Sequence, residues 1–138
     1  MDFELATNDE TKVLKFANFK QFGSGDGSTL LAVRSGPFGV SNFPFHFDSR
    51  SLSTFLASLK EMNHSLQGET AVLKPLYEDQ LLCFQMLPNG KVWVSGKVQQ
   101  YNEKTQVLTF AFLTDQTCLN GLINFLEKCV DLTPEGGT

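Results

Sequence analysis

The sequence predicts an α+β domain: an antiparallel sheet of about seven or eight strands with one helix after Phe47 and another after Leu113, a single layered domain over residues 1–138. Three observations carry this. Phe43, Phe45 and Phe47 alternate with Asn42, Pro44 and His46, the period of a strand with one buried face. Leu52, Phe55, Leu56, Leu59, Met62 and Leu66 then recur at helical spacing. Further on, Pro88-Asn89-Gly90 separates two apolar runs, and Asn-Gly there signals a hairpin because both residues tolerate positive φ.

From the N-terminus, Phe3 with Leu5 and then Val13 to Phe22 read as two strands about a polar turn at Asn8-Asp9-Glu10. Gly23 to Ser28 has the composition of a flexible hairpin loop. Its glycine spacing is loosely that of a phosphate loop, but no Lys-Ser/Thr pair and no helix follow, so the phosphate reading fails. Thr29 to Arg34 and Phe38 to Phe47 form the next pair, turning at Ser35-Gly36-Pro37. Pro44 cannot donate to a ladder, which puts its strand at a sheet edge or the proline at a bulge. Asp48 or Ser49 caps the first helix, which ends near Gly68.

Ala71 to Leu76, Gln80 to Leu87, Lys91 to Gln99 and Gln106 to Leu113 make a four-stranded meander, with Tyr101 to Thr105 as its last turn. Leu81 to Phe84 and Leu108 to Leu113 are apolar at nearly every position, which predicts strands covered on both faces or lying centrally. Lys91, Trp93, Ser95 and Lys97 hold the parity opposite to Val92, Val94 and Val98, so one face there is wetter. Asp115 is placed to cap the second helix, whose stripe is Leu119, Leu122, Ile123, Leu126 and Val130. Residues 131–138, with Pro134 and two glycines, are expected to fray. The two halves share a plan of strands followed by one helix, with no repeat of fixed period.

Composition narrows the function classes. The chain has 138 residues, 41% hydrophobic, and 13 are Phe, enough to build a continuous core. The formal charge of −4 gives no counterion-release term, which disfavours nucleic acid and mildly favours a basic protein partner. Met1 to Asn8 does not read as a signal peptide and no apolar run is long enough to span a bilayer, so a cytoplasmic protein with no membrane partner is expected. Cys83, Cys118 and Cys129 lack CxxC spacing and read as reduced thiols.

No catalytic constellation emerges, and no cofactor is expected. Of the two histidines, His64 suits the C-terminal end of the first helix. His46 points away from the Phe face of its strand, either to solvent or to a binding surface. Neither has the spacing of a metal site; His46 with Asp48 is an isolated pair. Glu78-Asp79 and Asp9-Glu10 fall in turns and carry no acid–base role. Trp93, Lys97 and Tyr101 share one face, and an amphipathic aromatic beside a cation is a frequent interface anchor. The other reading of Trp93 is ordinary core beneath a helix or the N-terminal strands.

Phe45-His46-Phe47-Asp48 leads into Leu52-Ser53-Thr54-Phe55-Leu56, followed by Gly68 to Leu73, Gly90 to Gly96, Leu108 to Thr117 and the final helix. In these segments, over roughly Thr29 to Val130, the chain resembles the WapI-type bacterial immunity proteins and their uncharacterised relatives. The resemblance implies a non-enzymatic inhibitor that binds a cognate toxin in the cytoplasm. It carries no catalytic residues and does not locate the binding face. The residues themselves leave two alternatives: a ligand-binding protein or enzyme with a pocket between sheet and helix near His46 and Trp93, and a structural domain, monomer or homodimer, pairing through the Pro44 edge.

Overall fold

The alternating pattern of the N-terminal third becomes a meander of four strands. A computed structural model describes residues 2–6, 11–21, 26–65, 70–74, 81–100 and 106–131. Strands β1 (Phe3–Ala6), β2 (Lys12–Gln21), β3 (Asp26–Ser35) and β4 (Phe38–Asp48) pair antiparallel in the order β1-β2-β3-β4. Helix α1 (Ser49–Ser65) follows, then β5 (Thr70–Leu73), β6 (Leu81–Met86), β7 (Lys91–Gln100) and β8 (Gln106–Asp115) in a second meander, and α2 (Thr117–Asp131). The α+β class, the antiparallel pairing, the eight strands and the two helices are those the sequence predicts; the strands divide into two four-stranded sheets. The division follows from α1, which takes the chain off β4 so that β5 pairs with β6.

In the first sheet, irregularities aim the aromatic side chains inward. Pairing of β2 with β3 shifts between Ala17 and Lys20, where Asn18 takes φ 50°, a left-handed conformation that asparagine tolerates. The extra residue brings Phe19 onto the buried face already occupied by Leu14 and Phe16. Asn42, at φ 54°, stands just before the buried Phe43, Phe45 and Phe47. Pro44 is exposed on β4, an edge strand, where its missing donor breaks no ladder.

Composition alone misreads the start of β3. Asp26, Gly27 and Ser28, expected in a loop, pair with Asp48, Phe47 and His46. The Phe47 ring lies directly over Gly27, and a Cβ there would stand 2.5 Å from Phe47 Cε2 and 2.9 Å from the Lys20 carbonyl oxygen. Gly27 therefore marks a close approach inside a strand. The expected turn at Asn8-Asp9-Glu10, Phe22 to Gly25, the end of the first helix about Leu66 and Gly68, Glu78-Asp79, the turn Tyr101 to Thr105 and the frayed tail from residue 132 lie outside the described residues.

The remaining signals have clear local outcomes. Asp48 Oδ1 accepts the Ser51 N–H at 2.7 Å and caps α1, whose Leu52, Phe55, Leu56, Leu59 and Met62 are buried. Asn89 and Gly90 both take φ 74°, and the Leu87 N–H donates to the Lys91 carbonyl at 2.8 Å across the turn. Asp115 is corrected from helix cap to last residue of β8. Lys91 stands opposite it in register and its Nζ donates to Asp115 Oδ1 at 3.0 Å. Helix α2 starts two residues later, with the Leu119 N–H donating to the Gln116 carbonyl at 2.9 Å.

Each helix covers the sheet of the other half. Phe55 of α1 meets Phe84 of β6 at 5.8 Å between ring centroids. Phe125 of α2 meets Phe3 at 5.3 Å, Phe19 at 5.4 Å and Phe16 at 6.5 Å, all from β1 and β2. The helices join through Asn63 Nδ2 donating to Asn120 Oδ1 at 2.8 Å and Lys60 Nζ against Glu127 Oε2 at 2.7 Å, a pairing order that makes them antiparallel. One contiguous hydrophobic cluster draws on both sheets and both helices.

Candidate functional site

The face of the second sheet turned away from the helices is built by simple alternation. Val92, Val94 and Val98 of β7 and Phe110 and Phe112 of β8 point into the core, so Lys91, Trp93, Ser95 and Lys97, with Val107, Thr109, Ala111 and Leu113, point out. Register sets Trp93 beside Leu113 on β8 and Gln85 on β6, and Ser95 beside Ala111 and Cys83. Trp93 is 38% exposed, so the core reading of this residue gives way to a surface one.

Strand β8 departs from its sequence pattern. Its near-continuous apolar run predicts coverage on both faces, yet it is the outer strand of its sheet and only its inward residues are buried. Among the described residues, the exposed large hydrophobics are Phe38, Trp93, Val107 and Leu113. Three of these lie on β7 and β8 themselves. Phe38 stands across a groove of about 310 Å³ whose walls are Val33, Ser35 and Phe38 on one side and Leu108 to Ala111 of β8 on the other.

The other sequence candidates are scattered. His46 is half-buried on the outward face of the first sheet, opposite Ser28, which pairs in turn with Lys20. It is therefore on a different sheet from Trp93, and neither residue lines the groove. The groove lies at the β3–β8 junction. Lys97 shares the Trp93 face, opposite Thr109; Tyr101 lies outside the described residues. The sequence reading missed Phe38, at the start of β4, and Val107 and Leu113, on the uncovered outward face of β8.

The chemistry available is that of contact. Among the described residues, no group of three or more His, Cys, Asp and Glu side chains is placed to hold a metal ion. Burial pushes the Cys118 thiol up to about 12, against a weaker opposing hydrogen bond with Thr114. It pushes Cys129 up to about 11, and raises Cys83 despite a hydrogen bond with Ser95. All three lie outside disulfides, stay protonated at neutral pH and are poor nucleophiles. Among the described residues, no helix is long and apolar enough to cross a membrane.

No curated protein and no solved structure matches the chain. A family model does: the Immunity protein WapI-like family matches residues 14–134, from β2 through the end of α2. With most of its length inside that match, including seven of the eight strands and both helices, the chain belongs to the WapI-like immunity protein family.

Proposed function

We propose that the protein is a non-enzymatic antidote, acting in the bacterial cytoplasm, that neutralises a cognate toxin by binding it. The observation that carries this reading is the family match over residues 14–134. Two further features agree with it. The protonated, partly or fully buried thiols are poor nucleophiles, which agrees with binding rather than turnover. The net charge of −4 favours a partner that is basic overall.

Co-expression tests it. A toxin domain encoded by the adjacent reading frame should arrest growth when expressed alone, and this chain should restore growth and co-purify with it at one-to-one stoichiometry. Growth arrest that persists at equal expression, with no complex on size-exclusion chromatography, would overturn the reading.

A further inference from the structure

Resting on that reading, we infer that the toxin docks on the outward face of β7 and β8, placing an apolar side chain in the groove beside Phe38 and a carboxylate against Lys97. The outward face of the first sheet carries Glu4, Lys15, Lys20 and Arg34 around the half-buried Leu30 and Ala32. On the second, Val107, Thr109, Ala111 and Leu113 give β8 an uncharged outward stripe beside Trp93, and charge depletion around an aromatic marks the centre of an interface.

The sheet edges differ in the same way. Strands β1 and β5 are four residues long, and β4 carries Pro44, all features that discourage pairing. Strand β8 is ten residues long, with no proline and no charge before Asp115, and β3 borders it across the groove at Leu108 to Ala111. Ten-residue strands span roughly 33 Å, and β7 and β8 with the shorter β6 give a footprint on the order of 400 Å². That is about half of the ~800 Å² per partner of a stable interface, and the groove with its Phe38 wall supplies further contact area.

Charge selects the occupant. Lys91 is paired with Asp115, and Lys60 with Glu127. Among the described residues, the register neighbours of Lys97 are Leu81 and Thr109, with Ser95 and Gln99 along its strand, none of them acidic. A partner carboxylate would complete this ion pair in a half-buried setting. A second copy brings another Lys97 to this face while its Asp115 is held by Lys91, so self-association leaves Lys97 without a counter-ion.

The test uses the full chain and the toxin domain of the adjacent reading frame, with affinities from titration calorimetry and folding checked by circular dichroism. Trp93→Ala should weaken binding about 30-fold or more, as expected of an aromatic hot spot. Lys97→Glu and Leu113→Thr should each weaken it about tenfold or more, and Lys20→Glu on the first sheet should leave it within about twofold. Leu113→Thr and Lys97→Glu keep the test valid if Trp93→Ala fails to fold. Wild-type affinity in the folded Trp93, Lys97 and Leu113 variants would overturn the docking face while leaving the antidote reading intact. Absence of binding by the wild-type protein would overturn both. Sedimentation showing a dimer that Leu113→Thr dissociates, with toxin binding unchanged, would assign the face to a second copy and also overturn the inference.

Discussion

Trp93 on β7 and Leu113 on β8 are direct register partners on an outward sheet face, and both remain substantially exposed, at 38% and 46%. Their contact is a cross-strand pair at the surface, worth about 0.2–1 kcal/mol. Trp93→Ala should therefore lower unfolding stability by only about 1 kcal/mol. Phe84, fully buried under Phe55, is the reference: Phe84→Ala should cost about 3–5 kcal/mol. Urea midpoints of the two variants, compared at equal m-value, distinguish a surface anchor from core.

Asp48 ends β4 and caps α1 through the Ser51 N–H. Asp48→Ala leaves that donor without its partner and should cost about 1 kcal/mol, whereas Asp48→Asn, which keeps an acceptor, should cost only a few tenths. Thermal melts of the two variants provide the check.

Gly27 has no room for a methyl group beneath the Phe47 ring. Gly27→Ala should destabilise by about 1–3 kcal/mol, since Phe47 is fully buried and a shift of its ring disturbs Phe19 at 5.2 Å. Gly36 offers a contrast. Nothing lies within 4 Å of its Cβ position, so the cost of Gly36→Ala comes from its φ of 62° alone. Chemical denaturation should show the same m-value for both and a larger midpoint loss for Gly27→Ala.

The thiols give a pH dependence with a defined sign. Burial raises Cys118 from 9.0 to about 12 in the folded protein, so between those values the unfolded chain releases a proton that the native one retains. Its contribution is fully present below pH 9 and is lost as the pH climbs towards 12. The slope approaches about 1.4 kcal/mol per pH unit in that window. Cys118→Ala should flatten the alkaline fall in stability relative to wild type, measured from urea midpoints at pH 8, 9 and 10.

How much of this was legible in the sequence depends on the range of the interactions involved. Local signals worked: Asp48 as a cap, Asn89-Gly90 as a turn and the alternation of Phe43, Phe45 and Phe47 each depend on residues a few positions away. Long-range decisions were hidden. Whether β8 lies inside a sheet or at its edge cannot be read from an apolar run, because that pattern serves both environments until the neighbours are known. The same holds for Gly27, whose partner Phe47 is twenty residues away in the chain, and for Asp115, captured by Lys91 before it could cap a helix. Parity puts Trp93 and Lys97 on one face but does not say whether that face is covered; the 38% exposure of Trp93 decides it. The groove beside Phe38 required knowing that β3 approaches β8.

The exchange of helices between the two sheets ties the halves to a common fate. A fragment ending near Ser65 would carry α1 without β6 to receive Phe55, and its own sheet would lack the Phe125 that packs on Phe3, Phe16 and Phe19. The C-terminal fragment would be left with the converse deficit. Neither can seal its core alone, so the chain should unfold as one cooperative unit, and a nick between α1 and β5 should yield fragments that regain structure only when mixed.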